Sequence, residues 1–115
     1  MRLLEGKVGL VTGGGAGIGR ATCLTFARDG ARVVVVDRRS ESGLETVRLV
    51  EAEGGEALFV EADVSQEADV ERMVAATLEH FGALHCASNN AAAGAGFAPV
   101  PAIEPKAWQR ALDVS

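Results

Sequence analysis

The chain has 115 residues, 48% of them hydrophobic and 23% charged, a balance that suits one ordinary globular domain over 1–115. A net charge of −5 argues against nucleic acid and against an anionic membrane surface as partners. No apolar run approaches the roughly 20 residues of a membrane span, and two cysteines without CxxC spacing or His/Cys company argue for reduced thiols, no metal and a cytoplasmic setting.

A strand is expected over 7–12, where Val8, Leu10 and Val11 follow one another without clean alternation. Such continuous apolar strands suit a parallel sheet covered on both faces. The run breaks into glycines at 13, 14, 15, 17 and 19, and a helical pattern over 17–28 begins. Few Cβ atoms stand in the way of a ligand there. The first N–H groups of a helix lack intrahelical acceptors, and the helix dipole adds partial positive charge, so the turn forms an anion site suited to phosphate. The general dinucleotide fingerprint Gly-x-Gly-x-x-Gly does not occur. The spacing is Gly13-x-x-x-Gly17-Ile18-Gly19, with Gly15 and Ala16 completing the loop. The expected parts are a tight turn at Gly13, close diphosphate approach near Gly17 and Ile18, and close helix–strand packing at Gly19. A glycine-rich turn with no ligand is the plain alternative.

This spacing resembles the cofactor loop of the short-chain dehydrogenase/reductase family. The helix after it is expected to bury Ile18, Ala21, Leu24 and either Thr25 or Ala27, and to end at Asp29-Gly30. Cys23 is expected to pack on it. A second strand over 32–36, with four consecutive valines, ends at Asp37. Asp37 lies about 20 residues after Gly17, where an acidic group can accept hydrogen bonds from the adenosine ribose hydroxyls and repel a 2′-phosphate. Arg38 and Arg39 could neutralise such a phosphate. Ala16 carries no charge where resembling proteins that take NADP often have a basic residue. NAD is the expected cofactor, with NADP second.

The next helix is expected over 40–53, capped by Ser40, with Leu44, Val47 and Val50 or Glu51 on its inner face and Gly43 weakening it. A third strand over 56–62 leads to Asp63 and Val64. The resemblance gives these two the reading of the adenine edge; the alternative is that Asp63 orders the turn. A helix over 66–80, capped by Ser65, buries Val70, Met73, Val74, Thr77 and Leu78. His80 and His85 read as structural or exposed. A fourth strand over 83–88 ends in Asn89-Asn90-Ala91-Ala92, which resembles the Asn-Asn-Ala-Gly segment of the same family. Its amides are expected to tie this strand to the first, and Asn90 and Ala91 to lie near the nicotinamide ribose. Ala92 replaces the family's glycine, and His85 its usual aspartate. Residues 91–105 read as a loop over the ligand crevice, and Pro105 as the start of a helix through Trp108 and Leu112.

The resemblance implies an α/β fold, a partial Rossmann-type doubly wound parallel sheet of order 3-2-1-4, apparently truncated to the amino-terminal, cofactor-binding half of the family domain. It implies hydride transfer between a nicotinamide and a small alcohol or carbonyl substrate. The family's Tyr acid/base, with its Lys and Ser, has no counterpart: the chain has no tyrosine, and Lys7 and Lys106 follow no such motif. Ser115 stands where the family's relay Asn belongs. No catalytic residue is assigned, and the chain alone is expected to be inactive. The exposed fourth strand is expected to favour a homo-oligomer. Two other readings are a non-catalytic dinucleotide module acting through a partner, and a nucleotide-fold methyltransferase, against which the glycine spacing speaks.

Overall fold

Residues 3–90 are described in a computed structural model. The expectations for Ala91, Ala92, the 91–105 loop, the helix through Trp108 and Leu112, and Ser115 lie outside the described residues.

Four strands form one parallel sheet in the order β3-β2-β1-β4. They are β1 (Val8–Thr12), β2 (Arg32–Asp37), β3 (Ala57–Glu61) and β4 (Cys86–Asn89). β1 lies between β2 and β4, with Val11 opposite Val35 on one side and Ser88 on the other. The helices are α1 (Gly17–Arg28), α2 (Ser40–Ala52) and α3 (Glu67–Phe81).

The valine run of β2 explains the layering. Successive strand side chains point to opposite faces. Val34 and Val36 join Val8, Leu10 and Val60 in a core closed by Val70, Met73 and Val74 of α3. Val33 and Val35 join Val11 in a second core closed by Cys23 of α1 and Val50 of α2. Both faces are covered, so β2 needs apolar residues at every position. This is the doubly wound α/β arrangement expected from the sequence.

The inner faces of α1 and α2 differ in part from expectation: Leu24 and Ala27 of α1 and Val47 and Val50 of α2 pack on the second core as expected, and other positions do not. In α1 the buried residues are Gly19 and Cys23, while Ile18 is 60% exposed and Ala21 and Thr25 face outward. In α2 the buried residues are Gly43, Thr46 and Val50, and Leu44 is 55% exposed. Small residues face the sheet because the backbones approach closely. A Cβ at Gly43 would overlap the Phe59 ring, so this glycine lets α2 settle on β3. Apolar periodicity could not find that face, since glycine and threonine carry no hydrophobic signal.

The helix starts also shift. Ser40 is the first helical residue of α2, with extended Arg39 in the cap position and no side-chain cap. Gln66 rather than Ser65 precedes α3, because the Ser65 hydroxyl is donated to Asp63. Gly82 closes α3 at φ +79, its N–H donated to Leu78 O at 2.8 Å. β4 starts at Cys86, later than expected. His85 precedes it and accepts the Val8 N–H on Nδ1 at 2.9 Å.

Cys23 is fully buried, and burial pushes its thiol up to about 12, which keeps it protonated and unreactive. A thiol-reactive disulfide reagent at pH 8 is therefore expected to leave Cys23 unmodified in the folded chain and to modify it in denaturant. Rapid native modification, located by peptide mass, would contradict this packing. No helix among the described residues is long and apolar enough to cross a membrane.

Candidate cofactor site

The carboxyl ends of all four strands open on one edge of the sheet. There β1 stands between strands whose connections run in opposite directions, the position at which doubly wound sheets bind ligands. The glycine turn occupies this edge.

Gly13 leaves β1 at φ +65, a conformation that glycine adopts without a Cβ penalty. Gly14 donates its N–H to Val36 O at 3.0 Å, extending the β1–β2 ladder into the turn. Gly19 packs so closely that a Cβ would overlap the Gly13 carbonyl oxygen and lie 2.6 Å from its carbon. The tight turn at Gly13 and the close packing at Gly19 agree with the sequence reading.

Ala16 is the cap residue of α1, with extended φ −160 and no side-chain cap. No acidic residue stands in the first turn of α1, whereas α2 has Glu41 and α3 has Glu67 and Asp69. The positive end of the α1 dipole thus has no carboxylate in the helix's own first turn. Gly17, at φ +56, has open space where a Cβ would project, and Ala16, Gly17 and Ile18 are all exposed. These features fit an anionic group lying against the backbone.

Asp37 closes the adjoining side. It is only 6% exposed. Its Oδ2 accepts the Gly15 N–H at 2.9 Å, and its Oδ1 accepts the Arg39 N–H at 2.9 Å and Arg39 Nε at 3.3 Å. Burial alone would raise its pKa, but the Arg39 N–H and guanidinium and the Gly15 N–H together prevail and lower it. The carboxylate therefore stays ionised beside the loop. A carboxylate has about four acceptor positions, so three donors leave capacity for a ligand hydroxyl. Gly15 must lack a side chain here: a Cβ would lie 2.7 Å from Asp37 Oδ2 and 2.8 Å from Ser42 Cβ.

The exit of β3 lies beside Asp37, with the Ala62 N–H donated to Asp37 O at 3.1 Å. Asp63 Oδ1 accepts the Ser65 N–H at 3.0 Å and its hydroxyl at 2.6 Å. These bonds, the hydroxyl first, lower the Asp63 pKa, with a smaller contribution from the Arg38 charge. Asp63 thus orders the turn before α3. Val64 is buried. Arg38 is exposed and shares a cleft with Asp63, Asp69 and Arg72.

At β4, Thr12 Oγ1 donates to Asn89 Oδ1 at 2.7 Å and accepts the Asn90 N–H at 3.0 Å. The Asn90 side chain donates to Ser88 Oγ at 2.8 Å. The Asn89 amide ties β4 to β1 as expected, whereas Asn90 does so through its backbone N–H, its own amide bonding to Ser88 of β4. Ala91 lies outside the described residues.

Two contributors were not found by reading the sequence. Arg20 donates from Nη2 to Gly15 O at 2.6 Å and from Nε to Thr46 Oγ1 at 2.9 Å. Thr46, fully buried in α2, donates to Gly14 O at 2.7 Å. Only the position of Arg20 directly after the motif hinted at a role, and nothing marked Thr46. Among the described residues, no group of three His, Cys, Asp or Glu could hold a metal ion.

Comparison with known proteins gives a consistent result. The short chain dehydrogenase family pattern matches residues 7–115. A short chain dehydrogenase/reductase of Aspergillus oryzae is 43% identical over 113 residues, covering 97% of this chain and 43% of its own. A citronellol catabolism dehydrogenase of Pseudomonas aeruginosa superposes with a TM-score of 0.76 at 34% identity, over 96% of this chain and 45% of its own. A 7α-hydroxysteroid dehydrogenase solved with NADH and 7-oxo glycochenodeoxycholic acid superposes with a TM-score of 0.74 at 31% identity, over 75% of this chain and 34% of its own. The chain spans less than half the length of these relatives. With a family pattern matched from Lys7 to the last residue, on a sheet of the same topology, the chain belongs to the short-chain dehydrogenase/reductase family.

Proposed function

We propose that this chain is the cofactor-binding part of an oxidoreductase acting on an alcohol or carbonyl substrate, and that it takes NAD(H) in preference to NADP(H). One observation carries the reading: the N-terminus of α1, without a side-chain cap and open at Gly17, stands beside the ionised Asp37. The dinucleotide, when bound, supplies the nicotinamide carbon that gives or accepts hydride. The exposed N–H groups that open α1 would hold the diphosphate, and Gly13 and Gly19 keep that helix end against the turn. The free acceptor capacity of Asp37 would take the adenosine ribose hydroxyls, and its charge would repel a 2′-phosphate. Val64 and Asp63 would border the adenine, with Arg38 above. Asn90 would lie toward the nicotinamide ribose. The NADH in a relative's structure supports the cofactor class. No residue of this chain is assigned the proton transfer. The same reading takes the chain as cytoplasmic and as self-associating, since β4 is an edge strand among the described residues.

Calorimetric titration with NADH and, separately, NADPH tests the proposal. Saturable binding with NADH preferred is expected. A preference for NADPH would transfer the ribose end to Arg38 and Arg39. Binding of neither by a folded chain would remove the cofactor reading.

A further inference from the structure

We infer that Arg20, acting through Thr46, is a positioning residue for the dinucleotide: it draws the carbonyl oxygens of the glycine turn toward α2, so that no C=O group of the turn faces a diphosphate and the Ala16 N–H is left to it. The inference rests on the cofactor reading above. The geometry is specific. Thr46 Oγ1 donates to Gly14 O at 2.7 Å, and Arg20 Nη2 donates to Gly15 O at 2.6 Å. The bracket is closed by Arg20 Nε donating to Thr46 Oγ1 at 2.9 Å and Nη2 donating to Ser42 O at 3.2 Å.

A trans peptide carries its N–H and C=O on opposite sides. Holding the Gly14 oxygen on the Thr46 side turns the Gly15 N–H the other way, where it meets Asp37 Oδ2. Holding the Gly15 oxygen on the Arg20 side turns the Ala16 N–H away from Arg20 in the same manner. Glycine peptides flip easily, because either sign of φ is open to them. Without the bracket, a carbonyl could rotate into the space beside Gly17 and repel an anion there. A guanidinium suits this role, because its fixed fork of donors reaches Gly15, Ser42 and Thr46 together, which a single ammonium group cannot do. Arg20 thereby links the turn, α1 and α2 without facing the ligand itself.

The full chain is titrated with NADH by calorimetry, beside the variants Arg20→Ala, Arg20→Lys, Thr46→Val and Thr46→Ser, while amide hydrogen exchange is followed by NMR. Arg20→Ala and Thr46→Val are each expected to weaken NADH binding by about tenfold, the effect of roughly one lost charge-assisted hydrogen bond. Together they should weaken it by less than the product, since they break one bracket. Thr46→Ser should bind like the unsubstituted chain, and Arg20→Lys should recover part of the loss. Exchange at Gly14, Gly15 and Ala16 should accelerate while Val33 to Val36 stay as protected as before. NADH affinity unchanged within twofold in both Arg20→Ala and Thr46→Val would overturn the inference while leaving the cofactor reading intact. Weaker binding that came with lost protection across β2 would also overturn it, by showing general destabilisation. Failure of the unsubstituted chain to bind NADH would remove the cofactor reading and this inference together.

Discussion

Replacing Asp37 with alanine is expected to invert the cofactor preference of this chain. The carboxylate is the only acidic group bonded directly to the glycine turn, through the Gly15 N–H at 2.9 Å, among the described residues. A charged acceptor that receives a ligand hydroxyl contributes about 1.5–3 kcal/mol, so NADH affinity should fall roughly 10- to 150-fold. The same change removes a negative charge from beside the ribose and frees Arg39, whose guanidinium now commits one donor to Asp37 Oδ1. NADPH affinity should therefore rise, by roughly tenfold allowing for solvent screening. The ratio of the two dissociation constants should move by about two orders of magnitude or more, which titration with each cofactor measures. Unchanged NADH binding, or a parallel loss of both cofactors, would show that Asp37 does not read the ribose.

The substitution also has a stability signature that needs no cofactor. Its removal leaves the buried Gly15 N–H without its acceptor, at a cost of about 1–3 kcal/mol. The folded carboxyl titrates below its ordinary value near 3.8. Its stabilising contribution is thus complete above that value and is lost as pH falls through the lower, folded-state pKa. Asp37→Ala should consequently be less stable at neutral pH and show a smaller further loss on acidification. Denaturant melts at pH 7 and pH 3 separate these two effects.

The sheet was legible in the sequence because its strands are buried on both faces. Val33 to Val36 can only be a central strand, and the turn at Gly13 to Gly19 commits the chain after β1 to a helix. Asp37 was legible for the same reason: it ends that strand, so the topology carries it to the ligand edge whatever its side chain does. The face of α3 was legible, with Val70, Met73, Val74 and Thr77 buried as expected, while those of α1 and α2 were legible only in part. α1 and α2 lie against the sheet through Gly19, Gly43 and Thr46, and smallness leaves no mark in apolar periodicity. Leu44 and Ile18, which carry such a mark, face outward. The Arg20–Thr46 bracket was hidden for a related reason. It depends on a buried hydroxyl 26 positions from its partner, and sequence spacing has no means to join them. The role of Asp63 illustrates a different limit. The residue type and position allowed both adenine recognition and turn ordering, and the Ser65 bonds at 2.6 and 3.0 Å show turn ordering without bearing on the adenine.

Gly19 bears the strictest steric requirement of the glycine turn, and Gly19→Ala is expected to damage stability more than alanine at Gly17. The two positions differ in kind. At Gly17 a methyl group would enter open space, and the cost is that of φ +56 alone, about 1–2 kcal/mol for an L-residue. At Gly19 the methyl group would overlap the Gly13 carbonyl oxygen and stand 3.1 Å from Gly14 Cα. All the atoms it meets are backbone, so no side chain can swing aside. Relief requires α1 to move off the turn, and that turn is fastened by Gly14 to Val36 and by Gly15 to Asp37. Overpacking of this sort costs about 1–3 kcal/mol and more where nothing yields; with the backbone fixed on both sides, about 3 kcal/mol is expected. For a domain of this size that lowers Tm by roughly 10–20 °C. If instead the helix shifts to relieve the clash, its N–H groups leave the position facing the diphosphate and NADH binding weakens by roughly a hundredfold or more. Thermal melts and titrations of Gly19→Ala beside Gly17→Ala distinguish the two routes. A Gly19→Ala chain as stable as the Gly17→Ala chain and able to bind NADH like the unsubstituted chain would mean that the close packing of α1 on the turn is dispensable.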